Sequence, residues 1–552
     1  MSRYALGLDY GTNSVRALIV DIATGEEVAT HVSNYLSGQD GILLDARDPD
    51  LARQNPQDYI DGFYDCVLGA LGKSQVSPED IVGIGVDTTG STPLPVDEHC
   101  VALGCKPEFR DNLAAQAWLW KDHTSFAEAK EITDKARENG EPYLAKCGGT
   151  YSSEWFFSKI LHCERVAPEV FAAAHSWIEC ADFIPAFLTG QTDPSRTARG
   201  SCAAGHKAMH NPAWGGLPSK EFLAKLSPGM AALHDRLYTD VCPSDQVAGY
   251  LTEEVAAKSG LKSGTPVAVG AFDAHMGAVG SGIKPGTLVK IMGTSTCDIM
   301  VAPYDRELPD VPGLCGIAHD TVLPGMYGLE AGQSAVGDLF NWFVRRLCPP
   351  EYAGLDAHEK LSAAAAELKP GESGLVALDW NNGNRTILVD PQLTGLLVGQ
   401  TLHTTAPEVY RALIESTAFG ALRIIERFEE YGIRVEEIVN CGGIAEKSPL
   451  TMQIYADICN RPMKISRSAQ TCALGAAIFG AVAGGAFPDV PSAVAKMTGV
   501  KDTIYTPIPA HRAAYDELYA IYKELHDAFG LGVKIDLGSI MKRLRAIRAA
   551  NS

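Results

Sequence analysis

The sequence predicts an α/β protein built from two similar domains, and three observations predict it. A Gly-Thr turn rich in hydroxyls, set between two apolar strands, occurs in each half of the chain. The copies are LGLDYGTNSVRALIV at 6–20 and LVKIMGTSTCDIMV at 288–301. Apolar strand-like runs alternate with helical patterns along most of the chain, the mark of α/β architecture. At 552 residues the chain is also too long for one typical domain.

The first hairpin carries Asp9 two residues before Gly11, whereas Ile291 takes that place before Gly293. A glycine removes the Cβ and lets backbone approach a phosphate. Successive N–H groups in a tight turn form an anion-binding nest. The turns Gly11, Thr12, Asn13, Ser14 and Gly293, Thr294, Ser295 are therefore candidate phosphate cradles, with Thr296 adding a hydroxyl. A carboxylate repels phosphate directly, so Asp9 makes sense through Mg²⁺ and its waters. Taken singly, either turn is equally an ordinary hairpin. The duplication points to a nucleotide held between two domains.

Next, IVGIGVDTTGS at 81–91 reads as a buried strand running into a polar turn. Asp87 at its end either orients metal waters or substrate, or caps the turn. TPVAVGAFDAHMGAVG at 265–280 reads as strand, turn and helix. It sets Asp273 at a strand's carboxyl end, where it is the candidate general base and equally a helix cap. His275 two residues on reads as a structural hydrogen-bonder. GIKPGT at 282–287 is Gly/Pro punctuation and marks the domain boundary, giving 1–284 and 285–552.

In the second half, GLEAGQSAVGD at 328–338 offers Glu330 and Gln333 for sugar hydroxyls. EEIVNCGGIAEKSPLTMQIYADICN at 436–460 places Gly442 and Gly443 between a strand and a helix, where backbone can approach a flat adenine or ribose. Lys207 in AGHK is a donor for an oxygen-rich ligand. Trp118, Trp120 and Trp155 suit either the apolar face of a sugar or core packing. The run CALGAAIFGAVAGGAF at 472–487 is too short for the roughly 20 residues that span a bilayer. Its Gly and Ala predict a buried helix packed closely on a sheet.

Composition narrows the classes. Hydrophobic content of 46% and charged content of 21% are those of a globular protein. A net charge of −20 disfavours nucleic acid as a general partner and favours small substrates. The cluster Lys542, Arg543, Arg545 and Arg548 reads as the solvated basic end of a helix. Fourteen cysteines include no CxxC pair and no zinc spacing, which predicts reduced thiols in a cytoplasm, and the shortness of the apolar run at 472–487 predicts no membrane association. No signal peptide is read at the N-terminus. Absence of GxxxxGK[ST] excludes a P-loop, and absence of GxGxxG after the first strand disfavours a dinucleotide fold.

These motifs together resemble the FGGY carbohydrate kinases, within the actin/hexokinase/Hsp70 ATPase superfamily, and most of all their bacterial L-ribulokinase branch. The resemblance rests on GLDYGTNSVRALIVDIATGEE, VGIGVDTTGSTPLPVD, LWKDHT, YSSEWFFSKILH, AGHK with WGGLP, GAFDAHMGAVG, KIMGTSTCDI, GLEAGQSAVGDLF and GGIAEKSPLTMQIYADICNRP. YSSEW, AGHK and TSTCDI weigh most. It implies two ribonuclease-H-like domains with a cleft between them, the sugar on the first and ATP mainly on the second. It implies Asp273 as catalytic base, and Gly90, Lys207, Asp273 and Glu330 at the sugar. Gly11, Thr12, Asn13, Ser14, Gly293, Thr294, Ser295, Gly442, Gly443 and Lys447 fall at the nucleotide, with Asp9 at Mg²⁺. The implied reaction is ATP-dependent phosphorylation of L-ribulose at its C5 hydroxyl, in L-arabinose catabolism. A homodimer is compatible with it. Alternatives are a kinase for another pentulose or a pentitol (D-ribulose, ribitol), an actin- or Hsp70-like ATPase switch, and a sugar sensor without catalysis. The segment 349–390 departs from the family pattern, which bears on surface or oligomer contacts rather than on the site.

Overall fold

The computed structural model describes residues 3–305, 307–535 and 537–551. Two mixed sheets organise them. In the first, β1 (Tyr4–Tyr10), β2 (Ser14–Asp21) and β3 (Glu27–Asn34) form an antiparallel meander. Helix α1 (Pro56–Ser74) then crosses to β4 (Ile81–Thr88), which lies parallel to β1 on its other side. Strands β5 (Val247–Tyr250) and β6 (Pro266–Ala268) extend the sheet, and the short β7 (Ala271–Phe272) also pairs with β4.

The second sheet repeats the plan. Strands β8 (Thr287–Met292), β9 (Thr296–Pro303) and β11 (Met326–Ala331) are its meander, with β10 (Gly316–His319) added at the edge. Parallel strands β12 (Glu437–Cys441) and β13 (Met463–Ile465) follow. The orders β3-β2-β1-β4-β6 and β11-β9-β8-β12-β13 match strand for strand, parallel and antiparallel alike. The duplicated turn seen in the sequence is thus the first hairpin of each copy.

The copies meet mainly through one helix from each half of the chain. Helices α2 (Ser201–Lys207) and α3 (Asp273–Gly280) belong to the first half of the chain. The long α4 (Ala406–Glu430), the short α5 (Gly443–Lys447) and α6 (Thr471–Ala483) belong to the second. Helix α6 is the predicted small-residue helix. It crosses α3 backbone to backbone: a Cβ on Gly475 would lie 1.8 Å from the Met276 carbonyl oxygen. A Cβ on Gly85 of β4 would likewise fall 1.8 Å from the Ala476 carbonyl oxygen. Only glycine permits contact that close. One apolar cluster therefore joins Ala5 and Leu18 of the first sheet to Val289, Ile299 and Val439 of the second through Met276 and Leu474.

Between α3 and β8 the chain turns through Gly282 and Gly286, both at φ 84°. The described cysteines are free thiols. Among the described residues, no helix is long and apolar enough to cross a membrane.

Candidate active site

Three carboxylates converge because three strands end side by side. Asp9 of β1 is directly opposite Asp87 of β4, and Ala271 of β7 is opposite Asp87 on the other side. Asp273, two residues beyond Ala271, is the first residue of α3. Asp87 is fully buried, while Asp9 and Asp273 are partly open. Arg16 is the nearby cation, 3.9 Å from Asp9.

Burial, followed by the charges of Asp9 and Asp273, pushes the Asp87 carboxyl well above its ordinary range. Burial also raises Asp9, with Arg16 working against it. Asp273 is pushed up to about 7, first by burial and then by Asp9. No N–H or hydroxyl donor reaches either Asp87 oxygen, whose close polar neighbour is the Asp9 carboxyl, so its turn-capping alternative falls. Adjacent carboxylates in one buried site cannot all ionise unless a proton or a cation sits among them. A set of hard oxygen donors fits Mg²⁺. Asp273 Oδ1 accepts the Ala274 N–H at 2.6 Å, which fixes the carboxyl at the helix start.

A second cluster is made by residues from both halves. Helix α2 packs on β10 and the turn after it, where His206 Nε2 lies 2.9 Å from Thr321 Oγ1 and Ser201 donates to the Asp320 carbonyl at 2.6 Å. Lys207 Nζ thereby reaches Glu330 of β11, at 2.9 and 3.1 Å from its two oxygens. Although burial opposes it, the Lys207 ammonium holds the Glu330 carboxyl well below the usual range. Tyr151 fixes the end of α2 by donating to the Lys207 carbonyl at 2.6 Å. The ammonium sits 5.4 Å from the Trp155 ring and 5.9 Å from the Phe272 ring. Gly90 lies against Phe272, where a Cβ would come within 2.3 Å of the ring. Asp273 lies within electrostatic reach of both Lys207 and Glu330.

Both hairpin turns are closed by their glycine N–H, reaching three residues ahead in the first and two in the second. The Gly11 N–H donates to the Ser14 carbonyl at 2.9 Å, and the Gly293 N–H to the Ser295 carbonyl at 3.0 Å. Thr12 Oγ1 accepts the Trp120 indole N–H at 3.0 Å, and Asn13 is exposed. Gly293 and Thr294 are exposed, with Ser295 half-buried. Gly442 abuts this second turn: at φ 90°, its Cβ would lie 2.6 Å from the Met292 carbonyl oxygen. Its glycine is thus demanded by backbone packing. Gly443 faces open space and Lys447 is exposed at the end of α5.

Several sequence readings change. Gln333 is no sugar ligand: it donates to Asp379 and to the Thr417 carbonyl at 2.8 Å each, and accepts from buried Lys290 at 3.1 Å. Trp118 is core, stacked under the Arg53 guanidinium at 3.4 Å. His275 is no structural hydrogen-bonder, since neither ring nitrogen has a partner. The segment 349–390, expected to affect only surface contacts, supplies Arg385. That residue sits 3.8 Å from Glu154 of the first half and within electrostatic reach of Glu330. A lone arginine in the loop NNGNRT gave no signal of this, because the contact is formed by chain distant in sequence.

Comparison with known proteins fits this geometry. Residues 4–280 match the N-terminal domain model of the FGGY family of carbohydrate kinases, and residues 288–484 match its C-terminal domain model. The chain is 43% identical over 559 residues to a ribulokinase of Geobacillus thermodenitrificans, covering 98% of this chain and 97% of that one. It is 42% identical to a ribulokinase of Mycolicibacterium smegmatis, covering 99% and 97%. Among solved structures, a xylulose kinase from Rhodospirillum rubrum superposes with a TM-score of 0.79 at 24% identity, covering 95% and 99%. A Plasmodium falciparum glycerol kinase with ADP gives 0.78 at 15%, covering 97% and 99%. These structures share the two-domain actin/hexokinase-like ATPase fold.

Proposed function

The chain belongs to the FGGY family of carbohydrate kinases and is an ATP-dependent sugar kinase; from that premise we propose that it phosphorylates L-ribulose at the C5 hydroxyl, giving L-ribulose 5-phosphate and ADP. The observation that carries the choice of substrate is the near-full-length identity to proteins named ribulokinase. The arrangement of Lys207, Glu330 and Asp273 supports it chemically. A buried ammonium and carboxylate offer a donor and an acceptor to neighbouring hydroxyls of an open-chain ketose. The Trp155 and Phe272 rings wall the same spot.

Asp273 accepts the C5 hydroxyl proton as that oxygen attacks the γ-phosphorus. Its raised affinity for a proton suits a base working near neutral pH. The turns at Gly11–Ser14 and Gly293–Ser295 hold the phosphates through backbone N–H groups. Gly442 and Gly443 border the adenosine, with Lys447 at its edge. Mg²⁺ fits the oxygen donors of Asp9 and Asp87, chiefly through water, and when bound neutralises charge on the phosphates. In this reading residues 1–284 hold most of the sugar site, completed by Glu330, and 285–552 most of the nucleotide site, completed by the first hairpin turn, and closure of the two excludes water from the γ-phosphate. The enzyme would serve L-arabinose catabolism in a cytoplasm.

A coupled ADP-release assay across the four 2-ketopentoses and their pentitols tests the substrate. L-Ribulose should give the highest kcat/KM. A higher value for D-ribulose or ribitol would reassign it, and ATP turnover indifferent to every sugar would favour an ATPase switch.

A further inference from the structure

We propose that His206, His275 and Glu330 form a binding site for a transition-metal dication of the zinc class, occupied in competition with the Lys207 ammonium. Three separate elements bring these side chains together: the end of α2, the first turn of α3, and β11. Both histidines are 2% exposed and Glu330 is 8% exposed. All three side chains are therefore buried, Glu330 least completely.

The hydrogen bonding is what a ligand set leaves behind. His206 is anchored through Nε2 to Thr321 Oγ1 at 2.9 Å, which turns Nδ1 toward Glu330 Oε2 at 3.7 Å. His275 Nε2 is 3.7 Å from the same oxygen. That is too long for a hydrogen bond, and His206 Nδ1 and both nitrogens of His275 have no partner. Buried polar atoms are rarely left unmatched. Three donor atoms, one from each residue, all lie within 4.8 Å of one another. Zn–N and Zn–O bonds of about 2.0–2.1 Å in a tetrahedron set neighbouring ligand atoms roughly 3.4 Å apart, so a small inward shift completes the geometry. The Thr321 contact fixes the orientation of one ligand from behind, as outer partners of metal-bound imidazoles do.

Two imidazoles with one carboxylate select Zn²⁺, Co²⁺, Ni²⁺ or Cu²⁺ over Mg²⁺ and Ca²⁺, which want oxygen donors throughout. The site thereby differs in chemistry from the carboxylates around Asp9. Lys207 sets the consequence. Its ammonium touches both Glu330 oxygens, and a dication drawn to Oε2 repels it. Bound metal therefore takes Oε2 and displaces Lys207. If Lys207 and Glu330 hold the sugar, as the proposed function has it, the ion is an inhibitor competitive with sugar.

The test is an absorption titration of the chelator-stripped protein with Co²⁺ as the probe for Zn²⁺, which needs neither sugar nor ATP. One equivalent per chain should produce visible d–d bands. Affinity should fall by about tenfold or more in His275→Ala, His275→Gln and His206→Ala, with circular dichroism confirming the fold of each. Lys207→Met should bind Co²⁺ more tightly, because the competing charge is gone. Absence of saturable bands, undiminished binding in properly folded His275→Gln, or sulfur-to-metal charge-transfer bands placing the ion on cysteines would each overturn the site. L-Ribulose should weaken the apparent Co²⁺ affinity. Binding that meets these marks but ignores every sugar would overturn the competition, and it would point to a failure of the sugar assignment rather than of the metal site.

Discussion

Lys207 and Glu330, 123 residues apart and on opposite halves of the chain, meet in a buried ion pair with Nζ 2.9 and 3.1 Å from the two carboxylate oxygens. Such a pair contributes little net stability, but removing one partner strands the other and costs roughly 3–5 kcal/mol. Lys207→Met should lose stability of that order in denaturant melts and raise the KM for sugar far more than that for ATP. Unchanged stability would mean that Glu330 reaches water or another partner once released.

Asp273→Asn should lower kcat by about 10²- to 10⁴-fold, the usual cost of losing a general base. The fold should survive, because Asn can still accept the Ala274 N–H bond that Asp273 accepts at 2.6 Å. Steady-state kinetics decide the matter: a variant keeping more than about a tenth of the wild-type kcat removes Asp273 from that role.

Asp87→Asn should damage activity yet stabilise the protein. Its carboxyl is fully buried, with no N–H or hydroxyl donor reaching it and the Asp9 carboxyl beside it. Neutralising such a group should gain about 1–3 kcal/mol in chelator at pH 8. The gain should shrink as Mg²⁺ is added, since the ion relieves the same repulsion. Thermal melts with and without Mg²⁺ measure it, and a lower melting temperature in chelator would refute the strain.

Gly293 and Gly442 should respond differently. A Cβ on Gly293 meets nothing closer than the Ser295 carbonyl oxygen at 3.9 Å, so Gly293→Val should fold and raise the KM for ATP selectively. Gly442 has φ 90° and no room, so Gly442→Ala should cost about 1–3 kcal/mol of stability. Equal melting temperatures for the two variants would contradict this division.

Asp182 should give the protein a measurable pH dependence. It is buried, accepts the Gly200 N–H at 2.8 Å and stands 3.8 Å from Arg199. Burial pushes its carboxyl up to about 7 from an ordinary 3.8. The native state therefore binds this proton more tightly than the unfolded chain. The stability so gained is fully present below the ordinary value and is lost as pH rises through about 7. Wild type should lose ground to Asp182→Asn between about pH 4 and 8, on the order of a few kcal/mol. A gap constant with pH would show that Asp182 titrates normally.

The sequence determined a good deal by itself. Duplicated Gly-Thr turns between apolar strands announced a repeated first hairpin, and the two sheets repeat the same strand order around it. Asp273 at a strand's end and the small-residue run at 472–487, which forms a helix over Thr471–Ala483, were equally legible, because helix and strand periodicity are local properties. Tertiary structure decided what each polar group faces. Asp87 read as a possible turn cap until strand register set it beside Asp9. Gln333 read as a sugar ligand until Lys290, Asp379 and the Thr417 carbonyl claimed its hydrogen bonds. Arg385 and the convergence of His206 with His275 had no local pattern at all. Hydrogen-bond partners and desolvation depend on chain brought together from hundreds of residues away, and only the folded arrangement of the two sheets fixes them.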